Sequence, residues 1–389
     1  MTAIADLPDI RPSLLLDFAN SGRVDPRIEC TRASAATCFG PDGKLRTVAA
    51  NVPRIDYDPA TGKCLGLLVE EARTNLAYPS NMPTSAVQTL TGVMQANGGA
   101  KITSGVLAPD GSSSGFSVSG ADVGTNSSGA NNVRALSALS VIGTYAISFW
   151  IKTKAGSPSA TVSVRVPSAT GALTIPTTEG WKRVSLVANT TTGPDSVIFY
   201  SAGGAAFDMW GIQIELGAFP TSYIPTEASA VTRAADTMLV DVLVPQVGAV
   251  IGMLGTSPPP IAAGNAYIWS LFSIGNSSAD HAYFYYPSGV FSTNWWVNKD
   301  SIGQAGANVP TRSKNFGLNF DNNARAVAGF AGSQLVEDSS ARPREFPATL
   351  SRMVIGASRF NSGFLNACIS RLALYSGKIT NAQLQRIAA

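Results

Sequence analysis

Aromatic residues are concentrated in one stretch, HAYFYYPSGVFSTNWWVN, which covers residues 281–298. Aromatic rings have flat apolar faces that stack on the C–H faces of sugars, and the neighbouring Asn and Ser side chains can hydrogen-bond to hydroxyl groups. Successive side chains of a strand point to opposite faces, so only one of Trp295 and Trp296 can enter a core. We therefore predict a glycan-binding surface that includes Tyr283, Tyr285, Trp295 and Trp296. The alternative is that the outward rings are buried in a subunit or domain interface.

Residues suited to hydrolysis are sparse. A Ser-His-Asp enzyme needs a histidine; the chain has only His281, and it has no GxSxG motif. A glycosidase needs two carboxylates at one cleft, roughly 5–10 Å apart. Asp208 and Glu215 are seven positions apart in one predicted strand, so they lie on opposite faces unless a bulge intervenes. Asp280 and Asp321 are a second pair that no pattern favours. We predict that the protein is not an enzyme.

Metal and nucleotide motifs are also missing from the sequence. It has four cysteines without a CxxC pair, and one histidine, which argues against a zinc site of the Cys/His type. We expect Cys30, Cys38, Cys64 and Cys368 to be reduced and buried, because their spacing is not that of a disulfide framework. The sequence contains neither a GxxxxGKS/T loop nor a GxGxxG loop, so no motif indicates nucleotide binding.

Charge and hydropathy exclude several classes of partner. Charged residues make up 14% of the 389 residues, and the net charge is +3 without a basic run. We therefore expect no nucleic-acid partner. The apolar patch in SLLLDF (13–18) is shorter than the roughly 7–15 residues of a signal peptide, and no stretch reaches the roughly 18 of a membrane span. We predict synthesis in a cytoplasm, with no signal peptide and no membrane insertion.

Alternating patterns dominate the elements that must position these residues. TYAISFWIKTK (144–154) and AAFDMWGIQIELG (205–217) alternate with period two, and 37 Gly and 23 Pro supply turns between such strands. The second strand is expected to divide its side chains into one set of Met209, Gly211, Gln213 and Glu215 and another of Trp210, Ile212, Ile214 and Leu216. The one convincing helix is C-terminal, with Thr380 as its N-cap.

A segment rich in Pro, Thr and Ser, GAFPTSYIPTEASAVTRAAD (217–236), follows the second strand. Pro220 and Pro225 cannot join a central strand. Tyr223 and Ile224 are apolar, which a flexible linker would not require. We therefore predict an ordered connector that lies on a surface.

Three stretches resemble known proteins. RIECTRASAATCFGPDGKLRTVAANVPRIDYDPATGKCLGLLVEEARTNL (27–76) resembles the N-terminal segment of bacteriophage structural proteins, with the same TRAS-AT, DG-L, N-PR-DYDP-TG and LL-E-ARTNL elements in order; it departs from them mainly at its cysteines. WGIQIELGAFPTSYIPTEASAVTRAAD resembles the end of the jelly-roll, carbohydrate-binding-module-like domain of the same proteins. ATLSRMVIGASRFNSGFLNACISRLALYSGKITNAQLQRI is similar to the closing strands of concanavalin A-like (laminin G-like) domains.

The resemblance implies an all-β fold with two antiparallel β-sandwiches, a jelly roll and a concanavalin A-like domain, behind an N-terminal strand-turn segment. The implied divisions are an N-terminal attachment segment (1–76), the jelly-roll domain with its connector (77–236) and the concanavalin A-like domain (237–389). Jelly-roll carbohydrate modules often hold a structural calcium through a carboxylate of the last strand. Asp208 occupies a comparable place, so calcium is the one cofactor we consider; a solvated carboxylate is the alternative.

The same resemblance implies a component of a phage virion, of the tail-fibre, baseplate or head-fibre type. We expect a non-enzymatic fibre or spike protein that binds other virion subunits and adheres to host-surface glycans. A homo-oligomer is expected, and the resemblance suggests a trimer. One alternative is a capsid or tail decoration protein without a host ligand. Another is a polysaccharide depolymerase.

Overall fold

A computed structural model describes residues 10–81, 94–97, 100–119, 132–139, 141–154, 162–166, 172–175, 180–192, 195–201, 206–245, 247–259, 265–272, 281–287, 291–297, 300–307, 314–320, 327–331, 334–338 and 350–388. In chain order the elements are β1 (Pro12–Asp17), α1 (Phe18–Ser21), β2 (Glu29–Thr31), β3 (Ala36–Phe39), β4 (Leu45–Val48), β5 (Arg54–Tyr57), β6 (Cys64–Val69), β7 (Arg73–Asn75), β8 (Met94–Asn97), β9 (Lys101–Val106), β10 (Gly115–Ser119), β11 (Asn132–Leu139), β12 (Thr144–Thr153), β13 (Val162–Arg165), β14 (Ala172–Ile175), β15 (Lys182–Asn189), β16 (Asp195–Ser201), β17 (Phe207–Leu216), β18 (Val231–Arg233), β19 (Thr237–Asp241), β20 (Gly248–Leu254), β21 (Asn265–Phe272), β22 (His281–Pro287), β23 (Phe291–Val297), β24 (Asp300–Ala307), β25 (Asn315–Phe320), β26 (Val327–Ala331), β27 (Gln334–Asp338), β28 (Arg352–Ile355), β29 (Ala367–Tyr375) and α2 (Asn381–Ala388).

The chain forms two compact units. The terminal unit combines both ends of the chain, Met1–Gly43, Thr47–Ala72 and Ala234–Ala389. The central unit contains Lys44–Arg46 and Arg73–Arg233. The chain therefore enters and leaves the central unit between two parts of the terminal unit.

The central unit is a sandwich of two antiparallel sheets. Within its described residues, one sheet has the order β15-β12-β17-β10-β9 and the other the order β14-β13-β16-β11-β8. Phe149 of β12 meets Phe199 of β16 edge to face, with 5.1 Å between ring centroids. Both rings belong to one buried apolar cluster that draws on both sheets, as expected when two amphipathic sheets bury their apolar faces against each other.

The terminal unit is a second sandwich. In its described part, one sheet has the order β27-β26-β25-β20-β29-β6-β5, with β1 also paired to β29, and the other has the order β2-β19-β28-β21-β22-β23-β24. Leu372 and Leu374 of the first sheet share a buried cluster with Trp269 and Leu271 of the second. All strand pairs in both units are antiparallel where the structure describes them, so the predicted all-β fold with two antiparallel sandwiches is confirmed.

The N-terminal segment differs from the prediction, which placed residues 1–76 behind the sandwiches as a segment of their own. Strand β6 pairs with β29 through Val69 and Ala367, and β2 pairs with β19 through Thr31 and Thr237. The segment thus supplies strands to both sheets of the terminal unit. The physical reason is that its short apolar strands cannot bury a face alone and complete a core with the C-terminal strands. The predicted boundaries at 76 and 236 lie close to the junctions after residues 72 and 233.

Thr380 is the N-cap of the C-terminal helix α2, as predicted. The Thr380 hydroxyl accepts a hydrogen bond from the backbone N–H of Gln383 at 3.2 Å, and the Gln383 side chain accepts one from the backbone N–H of Thr380 at 3.1 Å. This reciprocal arrangement is a capping box. Leu384 of α2 is buried with Ala249 and Ala373 of the sheet beneath it. None of the described helices is long and apolar enough to cross a membrane.

Four charged residues form a buried cluster inside the terminal unit. Asp236 accepts hydrogen bonds from Arg32 Nη1 at 2.9 Å, from Arg54 Nη2, and from the backbone N–H of Glu70 at 3.0 Å. Arg54 Nη2 also donates to Glu70 Oε2 at 2.9 Å. Burial alone would lower the pKa of Arg54, but the charges of Glu70 and Asp236 raise it above its usual value. The cluster therefore contains two positive and two negative charges and links all three stretches of the unit.

The cysteines are free thiols. Cys38 and Cys368 are buried as predicted, whereas Cys30 and Cys64 are half-buried. The Cys368 thiol lies 3.9 Å from Asp56 Oδ2, and the other Asp56 oxygen accepts the backbone N–H of Phe39 at 2.7 Å. Burial raises the pKa of Asp56 from 3.8 to about 6, although the hydrogen bond from Phe39 acts in the opposite direction.

We expect Asp236→Asn to destabilise the protein strongly, because Arg32 and Arg54 would remain buried without their shared counter-charge. Breaking a buried ion pair by removing one partner costs about 3–5 kcal/mol. Urea unfolding followed by far-UV circular dichroism measures this loss. The control is Asp241→Asn, which removes an exposed carboxylate paired with Arg352 and should have little effect. Equal stabilities of the two variants would contradict the assigned role of Asp236.

The raised pKa of Asp56 predicts a pH-dependent stability. The folded state holds the Asp56 proton more tightly than the unfolded state, so this contribution is complete below about pH 4 and is lost as pH rises through about 6. Asp56→Asn keeps an acceptor for Phe39 and does not titrate. As pH rises from about 4 to above about 6, the free energy of unfolding of Asp56→Asn should therefore increase relative to that of the native protein by up to about 3 kcal/mol. Urea titrations across this range test it, and a stability difference independent of pH would refute it.

Candidate functional site

Strand β17, which carries two of the predicted candidate carboxylates, contains a β-bulge. Along its ladder with β12, Ser148 pairs with Gln213 and Trp150 pairs with Trp210. Two steps along β12 therefore match three steps along β17. Gly211 lies in the extra step with a φ of 63°, a conformation that residues with a Cβ rarely adopt.

The bulge changes which residues of β17 share a face. The buried cluster between the sheets takes Phe207 and Met209 before the bulge and Ile212 and Ile214 after it. The residues between them share the opposite face: Asp208, Trp210, Gln213 and Glu215. The predicted division of this strand was wrong beyond Gly211, because strict period two does not survive an inserted residue.

Glu215 binds the chain that follows its own strand. Its carboxylate accepts the Thr221 hydroxyl at 2.5 Å and the backbone N–H of Thr221 at 3.0 Å. Gln213 Nε2 donates to the same carboxylate at 2.8 Å. Glu215 is fully buried. Its role in the structure is to hold the first part of the connector on the outer face of the sheet.

Asp208 is engaged by neighbours on the adjacent strands. The Ser117 hydroxyl donates to its Oδ1, and Lys152 Nζ lies 3.5 Å from its Oδ2. No group of three or more His, Cys, Asp or Glu side chains among the described residues could hold a metal ion. The described surroundings of Asp208 thus supply a salt bridge rather than a set of oxygen ligands, and the structural calcium stays a prediction.

An aromatic cluster that the sequence analysis missed lies on the same outer face. Trp150 and Trp210 are cross-strand neighbours with 5.0 Å between ring centroids, and Tyr223 of the connector lies 5.5 Å and 4.7 Å from them. The Arg183 guanidinium lies 4.7 Å from the Trp150 ring. All three rings are buried. A face that could have served as an open stacking surface is therefore filled by the protein's own tyrosine.

The connector is ordered, as predicted. Gln213 Oε1 accepts the backbone N–H of Ile224 at 2.6 Å, and the Tyr223 hydroxyl shares a hydrogen bond of 2.6 Å with Ser80. Burial raises the pKa of Tyr223 above its usual range. The apolar pair Tyr223–Ile224 was a usable signal for this packing. The partner Trp150 could be found only with the register of β17 in hand.

The predicted aromatic residues lie in a hairpin of the terminal unit. Strands β22 and β23 pair Tyr283 with Asn294, Tyr285 with Ser292, and His281 with Trp296. Directly paired residues share a face of the sheet, and residues two apart on one strand share it too. The positions of Tyr283, Tyr285 and Trp296 therefore belong to one face, and that of Trp295 belongs to the other.

The neighbouring strand β21 shows which face is directed to the core. Leu271, which pairs with Ala282, is buried between the two sheets. Ala282 pairs in turn with Trp295, so the position of Trp295 is on the core side. Ser270 pairs with Tyr283, and both positions lie on the opposite face of the sheet from Leu271. Backbone register thus places three of the four predicted residues together on the face away from the core and separates the fourth from them. The carboxylate candidates Asp280 and Asp321 lie outside the described residues.

No protein-family model and no curated protein matches the chain. Among solved structures, it is similar to the CBM40 domain of the Ruminococcus gnavus IT-sialidase, bound to α2,3-sialyllactose, with 15% identity, a TM-score of 0.31, and coverage of 38% of this chain and 84% of that one. It is also similar to the CBM22-1–CBM22-2 tandem domain of Paenibacillus barcinonensis Xyn10C, with 14% identity, a TM-score of 0.29, and coverage of 74% and 98%. Similarities at this level do not define a function.

Gly211→Ala should destabilise the central unit. A Cβ at Gly211 would lie 2.8 Å and 2.9 Å from two atoms of the Trp150 ring, in addition to the backbone strain at positive φ. We expect a loss of about 2–4 kcal/mol, with a changed near-UV circular dichroism signal from the aromatic cluster. The control is Gly105→Ala, which has a φ of 91° and open space around it, so only backbone strain applies. Similar losses in both variants would show that ring packing does not depend on the bulge.

Proposed function

We propose that this protein is a non-enzymatic glycan-binding adhesin of a phage virion, a fibre or spike component that attaches to polysaccharide on the host surface. The observation that carries the proposal is the backbone register of the β22–β23 hairpin. It brings Tyr283, Tyr285 and Trp296 to one face of the sheet, together with Ser292 and Asn294. This combination of aromatic and small polar residues suits the stacking and hydrogen bonding of sugar rings.

The virion part of the proposal is supported by the motifs of residues 27–76 and 210–236. Four of their charged residues, Arg32, Arg54, Glu70 and Asp236, form the buried cluster in the terminal unit. The resemblance to phage structural proteins therefore involves residues that stabilise the fold, not isolated surface matches. As part of the proposal, the resemblance also implies that the protein is made in the host cytoplasm and is then located in the virion.

Binding would be weak at each site and strong in the assembly. A shallow stacking surface of a few rings typically gives a millimolar dissociation constant, about 4 kcal/mol of binding free energy. A homo-oligomer, a trimer in our proposal, presents several copies to one polymer, and attachment of one copy raises the effective concentration at the next. Such a mechanism needs no catalytic group. Consistent with this, the carboxylates of Asp208 and Glu215 contact other groups of the same unit.

A glycan array of bacterial surface polysaccharides, probed with the labelled full-length protein, tests the proposal. We expect saturable binding to at least one polysaccharide and release of no reducing sugar. Trp296→Ala should weaken binding at least about tenfold, the effect of losing about 1.4 kcal/mol, without a change in thermal stability. The control is Trp181→Ala, which removes a half-buried indole of the central unit that contacts Lys152 and should leave binding unchanged.

Trp295→Ala separates the two faces of the same strand. Because its position is on the core side, we expect this variant to lower thermal stability. Equal loss of binding in the Trp296 and Trp181 variants would rule out the hairpin face as the site. Binding to no polysaccharide by a folded oligomer would favour a decoration protein whose ligand is another virion subunit. Turnover of any polysaccharide would establish a depolymerase instead.

A further inference from the structure

A cavity of about 620 Å³ opens in the terminal unit at an irregularity of the sheet that contains β29. Strand β29 pairs with β6 through residues 367–369 and with β1 from Arg371 onward. Ser370 is an extra residue at this change of partner, since Ile369 and Arg371 pair with adjacent residues of β20. Leu65 is a similar extra residue in β6 relative to β5. Bulges of this kind interrupt the ladder and often lie beside binding sites.

The cavity combines apolar surface with an excess of positive charge. Leu65 and Met253 contribute apolar surface to its lining. The charged lining residues are Asp17, Lys63, Lys314 and Arg371. Three cations and one anion leave a net charge of +2, which raises the local concentration of anions in a concave site.

Asp17 is the one acidic residue of the cavity lining, and its charge is balanced by that of Arg371. Arg371 Nη2 donates to Asp17 Oδ2 at 2.7 Å, and Asn20 Nδ2 donates to the same oxygen at 2.9 Å. Burial alone would raise the pKa of Asp17, but these hydrogen bonds and the Arg371 charge lower it. Asp17 is therefore an anion at neutral pH, and its charge is matched by that of Arg371.

The two lysines supply the charge that remains. Both are exposed. The charge of Lys63 also acts on the exposed carboxylate of Asp58, whose pKa it lowers, but no salt bridge joins either lysine to a carboxylate of the cavity lining within the described residues. Lys314 Nζ donates a hydrogen bond to the backbone oxygen of Gly255 at 3.4 Å, and both residues line the cavity. Lys63 directly precedes β6 and Lys314 directly precedes β25. Two ammonium groups from different segments around one cavity can bind a single anionic group from two sides.

We propose that this cavity binds a negatively charged saccharide unit, a sugar that carries a carboxylate or a phosphate. Lys63 and Lys314 bind the anionic group, and the sugar ring lies against Leu65 and Met253. The volume is in the range of about 300–1,000 Å³ typical of small-ligand sites. The choice of a saccharide rests on the proposed function. The cavity is formed by a different sheet from the β22–β23 hairpin, so the two sites can be tested separately.

Isothermal titration calorimetry of the full-length protein tests the proposal with four probes: D-glucuronate, glucose 6-phosphate, D-glucose and inorganic phosphate. We expect one or both acidic sugars to bind at least about tenfold more tightly than glucose and than inorganic phosphate. The preferred acid distinguishes a carboxylate ligand from a phosphate ligand. Raising NaCl from about 50 mM to about 500 mM should weaken binding several-fold, because the lysines are open to screening.

Variants assign the binding to the cavity. The double variant Lys63→Ala, Lys314→Ala should lose at least about tenfold in affinity, while Lys63→Arg, Lys314→Arg keeps the charge and stays within about threefold. Lys182→Ala, an exposed lysine of the central unit, is the control and should bind as the native protein does. All three sets change exposed side chains, so folding should be unaffected.

Three results would overturn the proposal. They are no binding of either acid at millimolar concentration, equal binding of glucose or inorganic phosphate, and unchanged affinity in the double alanine variant. Trp296→Ala should leave this affinity unchanged. If the acidic sugars fail to bind while polysaccharide binding is intact, only the cavity proposal is rejected. If Trp296→Ala loses polysaccharide binding and keeps its affinity for the acidic sugar, the result concerns only the hairpin face.

Discussion

The terminal unit depends on the pairing of one buried carboxylate with two buried arginines. Asp236 is the last residue of the connector, while Arg32 and Arg54 lie near the N-terminus. None of these charges can be left in an apolar interior alone, so the strands on either side of them must assemble together. The pairing of β2 with β19 and of β6 with β29 is the backbone counterpart of the same requirement. This explains why Met1–Gly43 and Thr47–Ala72 belong to the unit formed by the last part of the chain.

A second constraint acts in the central unit, where a single glycine determines the use of one sheet face. The bulge at Gly211 turns Gln213 and Glu215 to the face that already carries Trp210. These two polar side chains hold the connector, and the connector places Tyr223 on the tryptophans. The outer face is thereby closed at this point. In the terminal unit, the backbone register of β22 and β23 places aromatic positions on the side of their sheet away from the core.

Local patterns in the sequence predicted local structure well. Alternation in residues 144–154 predicts β12, Thr380 as an N-cap predicts the start of α2, and Tyr223 with Ile224 predicts an ordered connector. The features that escaped prediction depend on pairing across long distances. The register of β17 against β12 reveals the bulge, and the partner of Asp236 lies some two hundred positions away in the sequence. The cavity beside β29 needs two bulges and a change of strand partner, none of which has a signature in one short stretch. For the hairpin, alternation separated Trp295 from Trp296, and only the register with β21 shows which is on the core side.

The placement of the central unit within the sequence of the terminal unit has a consequence for biosynthesis. Residues 73–233 leave the ribosome before the C-terminal strands of the terminal unit exist. The central sandwich can therefore fold during translation. Strands β2 and β6, by contrast, can pair only after β19 and β29 have been synthesised. During that interval the two arginines remain hydrated, and the apolar faces of the early strands are open to chaperones. We expect translation of the last third of the chain, rather than any local step, to set when the protein becomes resistant to proteases.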